Sequence, residues 1–292
     1  MSSGKTSGNG AQHSPSDRTE GTRNRPAAFL RALRRIARNP VAMYAFSFLL
    51  LLLLWWGASE LVEAVKGRAF LPNPIRAFGE LFRLWPTLSI NFFISAWRLV
   101  LAMLIALALG YPLGLLIGHE RWLDQLISPM IYIIYPIPQV AFILILFLVF
   151  GIGNPVKVAI VALALFFQIL VSARGAAKNI DREHVVSVLS AGATRFELYW
   201  HVILPATLPS ILTSLRVSVG LGMAFLYIAE ISGSLNPTRG GLGPFIKSNI
   251  YNTNQQFAGI LAMALLGLLL YILIDLIERF ACRWRHVQRP SS

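Results

Sequence analysis

Apolar residues in this chain neither alternate with polar ones nor mark one face of a helix; they come in unbroken blocks. The first, "VAMYAFSFLLLLLLWWGAS" from Val41 to Ser59, carries no charge. It is close to the ~20 residues that a helix needs to cross a hydrocarbon core of ~30 Å. Leu99 to Gly118, Leu126 to Phe150, Pro155 to Ala173 and Phe257 to Ile274 are further runs of this kind. A sixth, Leu208 to Ile231, holds Arg216 and Glu230 near its ends, where a charge can snorkel or face a protein-lined cavity. The pattern predicts an all-α integral membrane protein with six transmembrane helices, at about 41–62, 91–118, 126–150, 155–175, 208–231 and 257–277. The first run is expected to stay as a span and not to be cleaved as a signal peptide, because a long polar region precedes it and no small-residue cleavage site follows.

Polar punctuation fills in the rest. Residues 1–24 are rich in Ser, Gly, Thr and Asn without an apolar period, so a disordered cytoplasmic tail is expected. Residues 25–40 form a basic juxtamembrane segment containing "RALRRIARN", and 280–292 form a basic cytoplasmic tail. The chain is 55% hydrophobic and 13% charged, with a net charge of +13 and a mean hydropathy of +0.61. Such a basic balance fits either a nucleic-acid partner or Lys and Arg gathered at the cytoplasmic ends of spans. With an inside N-terminus, seventeen of the basic residues fall in cytoplasmic segments and six in outside loops. That asymmetry accounts for the charge with membrane lipid as the only polyanion in contact, and no nucleic acid. The lone cysteine, Cys282, excludes an internal disulfide and a Cys-based zinc site.

On this topology one cytoplasmic segment, "LSAGATRFELYWHVILP" from Leu189 to Pro205, is too apolar for an ordinary loop and must be ordered by protein. Gly192 is predicted to end a first short helix, and Thr194 with Glu197 three residues later forms a capping box that starts a second. Pro205 is expected to end that second helix, with Thr207 and Pro209 restarting one into the membrane. As one helix, Val185, Leu189, Gly192, Phe196, Tyr199 and Ile203 would form an apolar stripe; the caps split it into two faces. Either arrangement suits a helix laid in a partner's groove, or equally an amphipathic hairpin lying on the membrane surface or under its own bundle.

The words "AGATRFELYWHVILPATLPSI" resemble the cytoplasmic loop of bacterial ABC importer permeases. In that loop a glycine is followed, after nine intervening residues, by an aliphatic residue, any residue, Leu and Pro. Gly192, Val202, Leu204 and Pro205 fit that spacing. The acidic-Ala-Ala triplet that should precede the glycine is here Val186, Ser187 and Val188, which leaves the loop without its carboxylate. "LPNPIRAFGEL", "YPIPQVAFILILFLVFGIGNPVKVAI" and "GGLGPFI" are similar to the nitrate, sulfonate and taurine group of these permeases. The resemblance spans about Leu71 to Arg285. It implies a type I ABC transporter permease domain over 89–279 and a coupling helix, built from Gly192, Ala193, Thr194, Phe196, Glu197, Tyr199, Val202, Leu204 and Pro205, that docks on a separate ATPase subunit. It further implies a second permease copy, identical to the first, an extracytoplasmic substrate-binding protein, and a bacterial inner-membrane location. The solute implied is small and anionic or zwitterionic.

Nucleotide chemistry is expected elsewhere. "GKT" occurs once, at Gly4 to Thr6, without the preceding glycine that a phosphate-binding loop requires, and Gly240, Gly241 and Gly243 have neither a preceding strand nor a following lysine-serine pair. No cofactor is expected in this chain; ATP and Mg would sit on the partner ATPase. An intramembrane enzyme would need polar residues converging at depth, but His13, His119, His184, His201 and His286 all fall outside the spans, and no nucleophile elbow or metalloprotease histidine pair is present. A six-span channel with an amphipathic loop is the alternative reading, distinguished by whether an ATPase copurifies. Within the spans Glu230, Gln139 and Gln168 are translocation-path candidates, and Arg98 could attract an anion or anchor to headgroups; Arg216 and Asp275 face protein, water or the interface. Pro129, Pro136 and Pro138 are expected to kink or break the third span, as discontinuous helices do around transport paths and as kinks do in plain packing.

Overall fold

A computed structural model describes residues 40–67, 71–233 and 240–283. The 1–24 tail, nearly all of the basic 25–40 segment and the end of the 280–292 tail lie outside the described residues, as do Ser234 and Arg239. The chain divides into two compact units, Met1–Leu61 and Val62–Ser292. The described part of the first is most of helix α1, Pro40–Lys66, where Trp56 Nε1 donates to Glu60 Oε1 at 3.2 Å.

The second unit is helical throughout its described length. A short amphipathic helix α2 (Pro74–Arg83) starts behind Asn73, whose side chain accepts the Ile75 N–H. Then follow α3 (Trp85–His119), α4 (Arg121–Ile134), a 3₁₀ turn at Gln139–Phe142, α5 (Ile143–Phe150) and α6 (Asn154–Lys178). After them come α7 (Arg182–Ser190), α8 (Arg195–Leu198), a π turn at Tyr199–Ile203, α9 (Leu204–Val217), α10 (Val219–Ser232), α11 (Leu242–Ser248) and α12 (Thr253–Ala281). Five helical stretches are long and apolar enough to cross a membrane, or six if the bent pair Arg121–Ile134 and Gln139–Phe150 makes one span. The predicted segments 41–62, 91–118, 155–175 and 257–277 each fall within one of these stretches and 126–150 falls on the bent pair, whereas 208–231 overlaps Arg195–Val217 only at 208–217 and continues into the shorter helix Val219–Ser232.

The differences have physical causes. Helix α3 has 35 residues, about 50 Å at 1.5 Å per residue, and begins far before Leu99. Its first half holds Asn91, Ser95 and Arg98, which depress hydropathy but are buried in protein, where lipid never meets them. The third predicted span is two helices bent by 84°. Pro136 and Pro138 remove two N–H donors there, whereas Pro129 lies inside an unbroken α4. The fifth divides at Ser218 into α9 and α10.

Helices α3 and α6 form the axis of the bundle, with α9 and α10 against α6, and α12 contacting α2, α9 and α11. Leu99, Ala106, Leu165, Leu226 and Leu266 fill the common core. Three glycines four residues apart share one face of α3 and set its distance from α6. A Cβ on Gly114 would lie 2.5 Å from Ala173 Cβ and 2.6 Å from the Leu170 carbonyl, and one on Gly118 would lie 2.3 Å from the Arg174 carbonyl. Small residues allow such backbone approach where lipid offers no hydrophobic drive. Gly114→Leu should therefore lower stability by about 1–3 kcal/mol through overpacking, whereas Gly79→Ala, with nothing within 4 Å of its Cβ position, should not. Thermal unfolding of the two variants in detergent checks this.

Candidate functional site

Two regions concentrate the chemistry of the described residues: the segment joining α6 to α9, and a buried polar cluster at the opposite end of α3 and α6.

The joining segment is built by local signals. Asp181 caps α7 by accepting the Glu183 N–H at 3.1 Å. The helix ends where Gly192 takes φ +89°, a conformation that only glycine adopts freely. The Ala193 N–H reaches the Val188 carbonyl and the Gly192 N–H the Leu189 carbonyl, the paired bonds of a Schellman ending. Thr194 then starts α8: its hydroxyl accepts the Glu197 N–H at 3.3 Å, and its own N–H donates to Glu197 Oε2 at 2.7 Å. The predicted capping box is present, and those bonds from the backbone and hydroxyl of Thr194 hold the Glu197 carboxyl below its usual range.

Pro205 does not end this helix. The turn widens instead: the Leu204 N–H reaches back to the Tyr199 carbonyl, and Pro205 sits in the first turn of α9. A π turn leaves room for the ring and spares the donor that proline lacks. From α3 the Tyr111 hydroxyl donates to the Leu204 carbonyl at 2.9 Å, and within the helix itself the Thr207 hydroxyl donates to the Ile203 carbonyl at 2.8 Å. The result is helical backbone from Arg195 to Val217, with no restart at Thr207.

The predicted stripe divides between two faces. Leu198 and Ile203 are buried with Leu115 and Ala177, and Val202 packs against them. Tyr199 also faces inward: its hydroxyl donates to Glu120 Oε1 at 3.3 Å, and its ring meets His119 edge-on at 5.2 Å. Burial, and then the Glu120 carboxylate, push its phenol up to about 12. The outer face is Phe196, 75% exposed, with Trp200 at 59%; their rings lie 6.4 Å apart and 5° from parallel. Val186 and Leu189 on α7 are exposed as well. Sequence reading placed Phe196 on the stripe but passed over Trp200, four residues on along the same helix face. Beside this face a cavity of about 980 Å³ opens, lined by Glu120, Trp122, Lys178, Val185 and Arg195 among others. Next to it Asp124 ties α4 to α6, accepting from Arg174 Nε at 2.6 Å and Lys178 Nζ at 2.7 Å.

The cluster at the opposite end joins two residues that the sequence treats separately. Arg98 Nη1 donates to Glu230 Oε1 at 2.7 Å and to the Gly240 carbonyl at 2.6 Å. Its Nε and Nη2 hold Asn154 Oδ1 at 3.0 and 2.6 Å. Ser95 Oγ donates to Glu230 Oε1 at 2.8 Å, and the Gly243 N–H donates to Oε2 at 2.8 Å. The Gly241 and Leu242 N–H groups go to Asn91 Oδ1 and Ser95 Oγ. Gly241 has φ +109°, and a Cβ there would meet Glu230 Oε1 at 2.2 Å. Glu230 is 0% exposed and Arg98 3%, so in this conformation neither faces an open path. The "GGLG" glycines, which the sequence shows only not to be a phosphate loop, are the cradle of this carboxylate.

The remaining path candidates lie at the break in the third span. Gln139 opens the 3₁₀ turn, half-buried, and Gln168 accepts the Tyr135 hydroxyl at 3.1 Å. Arg216 and Asp275, read as end charges, form an ion pair linking α9 to α12; Arg216 also lies 3.4 Å from Glu278 and over the Tyr271 ring. Sequence reading did not pair them, because the partners are 59 residues apart.

Residues 110–281 match the family described as "Binding-protein-dependent transport system inner membrane component". The chain is 30% identical to the taurine transport system permease protein TauC of Escherichia coli (strain K12), over 80% of this chain and 86% of that protein. It is 30% identical to the putative aliphatic sulfonates transport permease protein SsuC of Bacillus subtilis (strain 168), covering 76% of this chain and 80% of that one. With the riboflavin transport system permease protein RibX of Chloroflexus aurantiacus it shares 31% identity, over 81% and 88%. In fold it resembles a chain of the inward-facing MetNI methionine ABC transporter, with a TM-score of 0.58 at 18% identity, covering 68% of this chain and 98% of that one.

The buried pair gives a direct test. Glu230→Ala strands the Arg98 charge and the Gly243 N–H, and should cost about 3–5 kcal/mol. A double replacement, Arg98→Met with Glu230→Leu, removes both charges and should recover a large part of that loss. Thermal unfolding compares them; a double variant as unstable as the sum of its single variants would mean that the two charges are not coupled.

Proposed function

Since the chain belongs to the family of binding-protein-dependent transport system inner membrane components, and is thus an ABC importer permease of the type I fold, we propose that it couples to a separate ATPase through the 183–205 loop, with the Gly192–Pro205 part as the docking helix. The observation that carries this reading is the exposed, stacked Phe196–Trp200 pair on a helix whose other face is locked into the bundle. Large aromatic anchors on a rigid helix suit insertion in a groove. The continuous backbone from Arg195 to Val217 supports a lever: a displacement at Phe196 reaches α9 as rigid-body motion, because the helix has no soft joint before Ser218. The Arg216 network then passes that motion to α12.

On this reading the loop end lies in the cytoplasm and the Arg98–Glu230 end outside, in the inner membrane, with the N-terminus inside. ATP and Mg act on the partner ATPase, and this chain, in a family of non-catalytic subunits, hydrolyses nothing. A second, identical permease copy completes the path, with Gln139 and Gln168 along it, and an extracytoplasmic binding protein delivers the solute. The taurine and aliphatic sulfonate permeases among the relatives support a small anionic or zwitterionic solute. Glu230 and Arg98, if they take part in the path, do so after the pair opens.

Phe196→Asp puts a charge in the docking face, and Gly192→Pro forbids the φ of +89° there. Both should abolish ATP-dependent uptake while the chain still inserts in the membrane. Copurification of the ATPase and solute uptake measure this; both persisting in both variants would end the docking assignment.

A further inference from the structure

A carboxylate from another part of the chain reaches the inner face of the loop. Glu120 stands at the corner between α3 and α4, after the last residue of one helix and before the first of the other. A side chain in that position can cap the N–H groups of the helix that follows. Glu120 makes no such bond. Its Oε1 turns to the loop, accepting the Tyr199 hydroxyl at 3.3 Å and lying 3.5 Å from Arg195 Nη1. These two partners stand four residues apart on one helix face, and the His119 ring meets the Tyr199 ring edge-on beside them. The carboxylates closest by are used otherwise: Glu197 by the capping box, and Asp124 by Arg174 and Lys178. Val186, where the loop pattern calls for an acid, is an exposed aliphatic residue.

The two bonds of Glu120 differ in weight. The Arg195 side chain is 84% exposed, so its pair is screened by water and contributes little. Tyr199 is half-buried, and its bond to the carboxylate is charge-assisted, which makes it the stronger hold. The near end of α4 is thereby fastened at two places about one helical turn apart: Glu120 to the loop and Asp124 to α6. Beyond them α4 runs unbroken to Ile134, beside the 84° break. At 1.5 Å per residue, about 6 Å separates Glu120 from Asp124 and about 15 Å separates Asp124 from Ile134. A rigid helix held at Asp124 therefore carries a displacement of Glu120 to the break enlarged roughly 2.5-fold.

We propose that Glu120 is a positioning residue for coupling: through Tyr199 it makes the third span follow the coupling helix. Asp124 is the pivot, and the break at Pro136 and Pro138 is the moving end, where Tyr135 holds Gln168. Without the clasp the ATPase still docks and α9 is still driven, but α4 stays at rest. This rests on the reading of the 183–205 loop as the element that docks on the ATPase.

The test uses the assembled importer in lipid nanodiscs, with spin labels at Leu109 on α3 and Ile133 on α4, both exposed. Pulsed electron resonance reads their separation without nucleotide and with ATP and vanadate. Helices at interfaces shift by about 1–2 Å in such transitions, so over the longer arm of α4 the wild-type separation should change by about 3 Å or more. Glu120→Gln, whose amide oxygen still accepts the Tyr199 hydroxyl, should keep that change. Glu120→Ala and Tyr199→Phe should lose it while the ATPase still copurifies. A wild-type separation that stays fixed, or a change that persists in Glu120→Ala and Tyr199→Phe, overturns the clasp and leaves the docking reading standing. Loss of the change in Glu120→Gln as fully as in Glu120→Ala also overturns it, since the bond to Tyr199 would not be what carries the motion. Persistence of the change in Phe196→Asp, with the ATPase still bound, overturns the docking reading itself.

Discussion

In hydrocarbon there is no water to satisfy a backbone N–H or C=O that leaves its helix. Each interruption of a helix in this chain therefore needs a partner supplied from elsewhere in the fold, and those partners account for much of its polar architecture. At Pro205 the helix widens by one residue, and Tyr111 and Thr207 brace the carbonyls of Leu204 and Ile203. At Gly240–Gly243 the chain turns into α11 with three consecutive N–H groups unpaired by any helix, and Asn91, Ser95 and Glu230 take them. Arg98 closes that arrangement by holding both Glu230 and the Gly240 carbonyl. A carboxylate held by so many donors has little freedom to move, so α3, α10 and α11 are fastened together at that end.

The two ends of the bundle are thus built for different tasks. The Arg98–Glu230 end is a fastening whose pieces come from α3, α6, α10 and the segment before α11. The loop end is a projecting helix with one buried and one exposed face. Between them α3 and α6 approach through Gly114 and Gly118 until their backbones nearly touch, an interface that tolerates little sliding. On the proposed coupling, motion entering at Phe196 and Trp200 would have a stiff route through the helix to Arg216 and its partners Asp275 and Glu278 on α12. The hinges left to the chain are Ser218, between α9 and α10, and the 84° break at Pro136 and Pro138.

What was legible in the sequence was local. The apolar blocks located most of the stretches long and apolar enough to cross a membrane, and Gly192, Thr194 and Glu197 announced their turn and capping box because each acts within five residues of itself. Pro205 misled for the same reason: taken alone it ends a helix, and the groups that let it continue include Tyr111, 93 residues away in the chain. Glu230 was singled out as a charge that lipid would penalise and Arg98 as one that could attract an anion or anchor to headgroups, but their pairing spans 132 residues and leaves no periodic trace. The predicted second span took in Asn91, Ser95 and Arg98, but hydropathy cannot separate a side chain facing water from one facing buried protein, so their burial was not legible. Trp200 was passed over because an aromatic residue in an apolar segment looks like core until its neighbours are placed.

The stiffness of the segment from Arg195 to Val217 is the premise on which coupling depends. Spin labels at Arg195 and Val217, both exposed, in the assembled importer allow it to be measured by pulsed electron resonance. A continuous helix with one widened turn puts their backbones about 30 Å apart at 1.5 Å per residue. Under conditions of ATP-driven turnover, that separation should stay within about 2 Å of its nucleotide-free value, as for an element moving as a rigid body. A change of a helical turn, about 5 Å, or a broad distribution appearing on nucleotide binding, would mean that the helix yields at Pro205 and that force reaches the spans by another route.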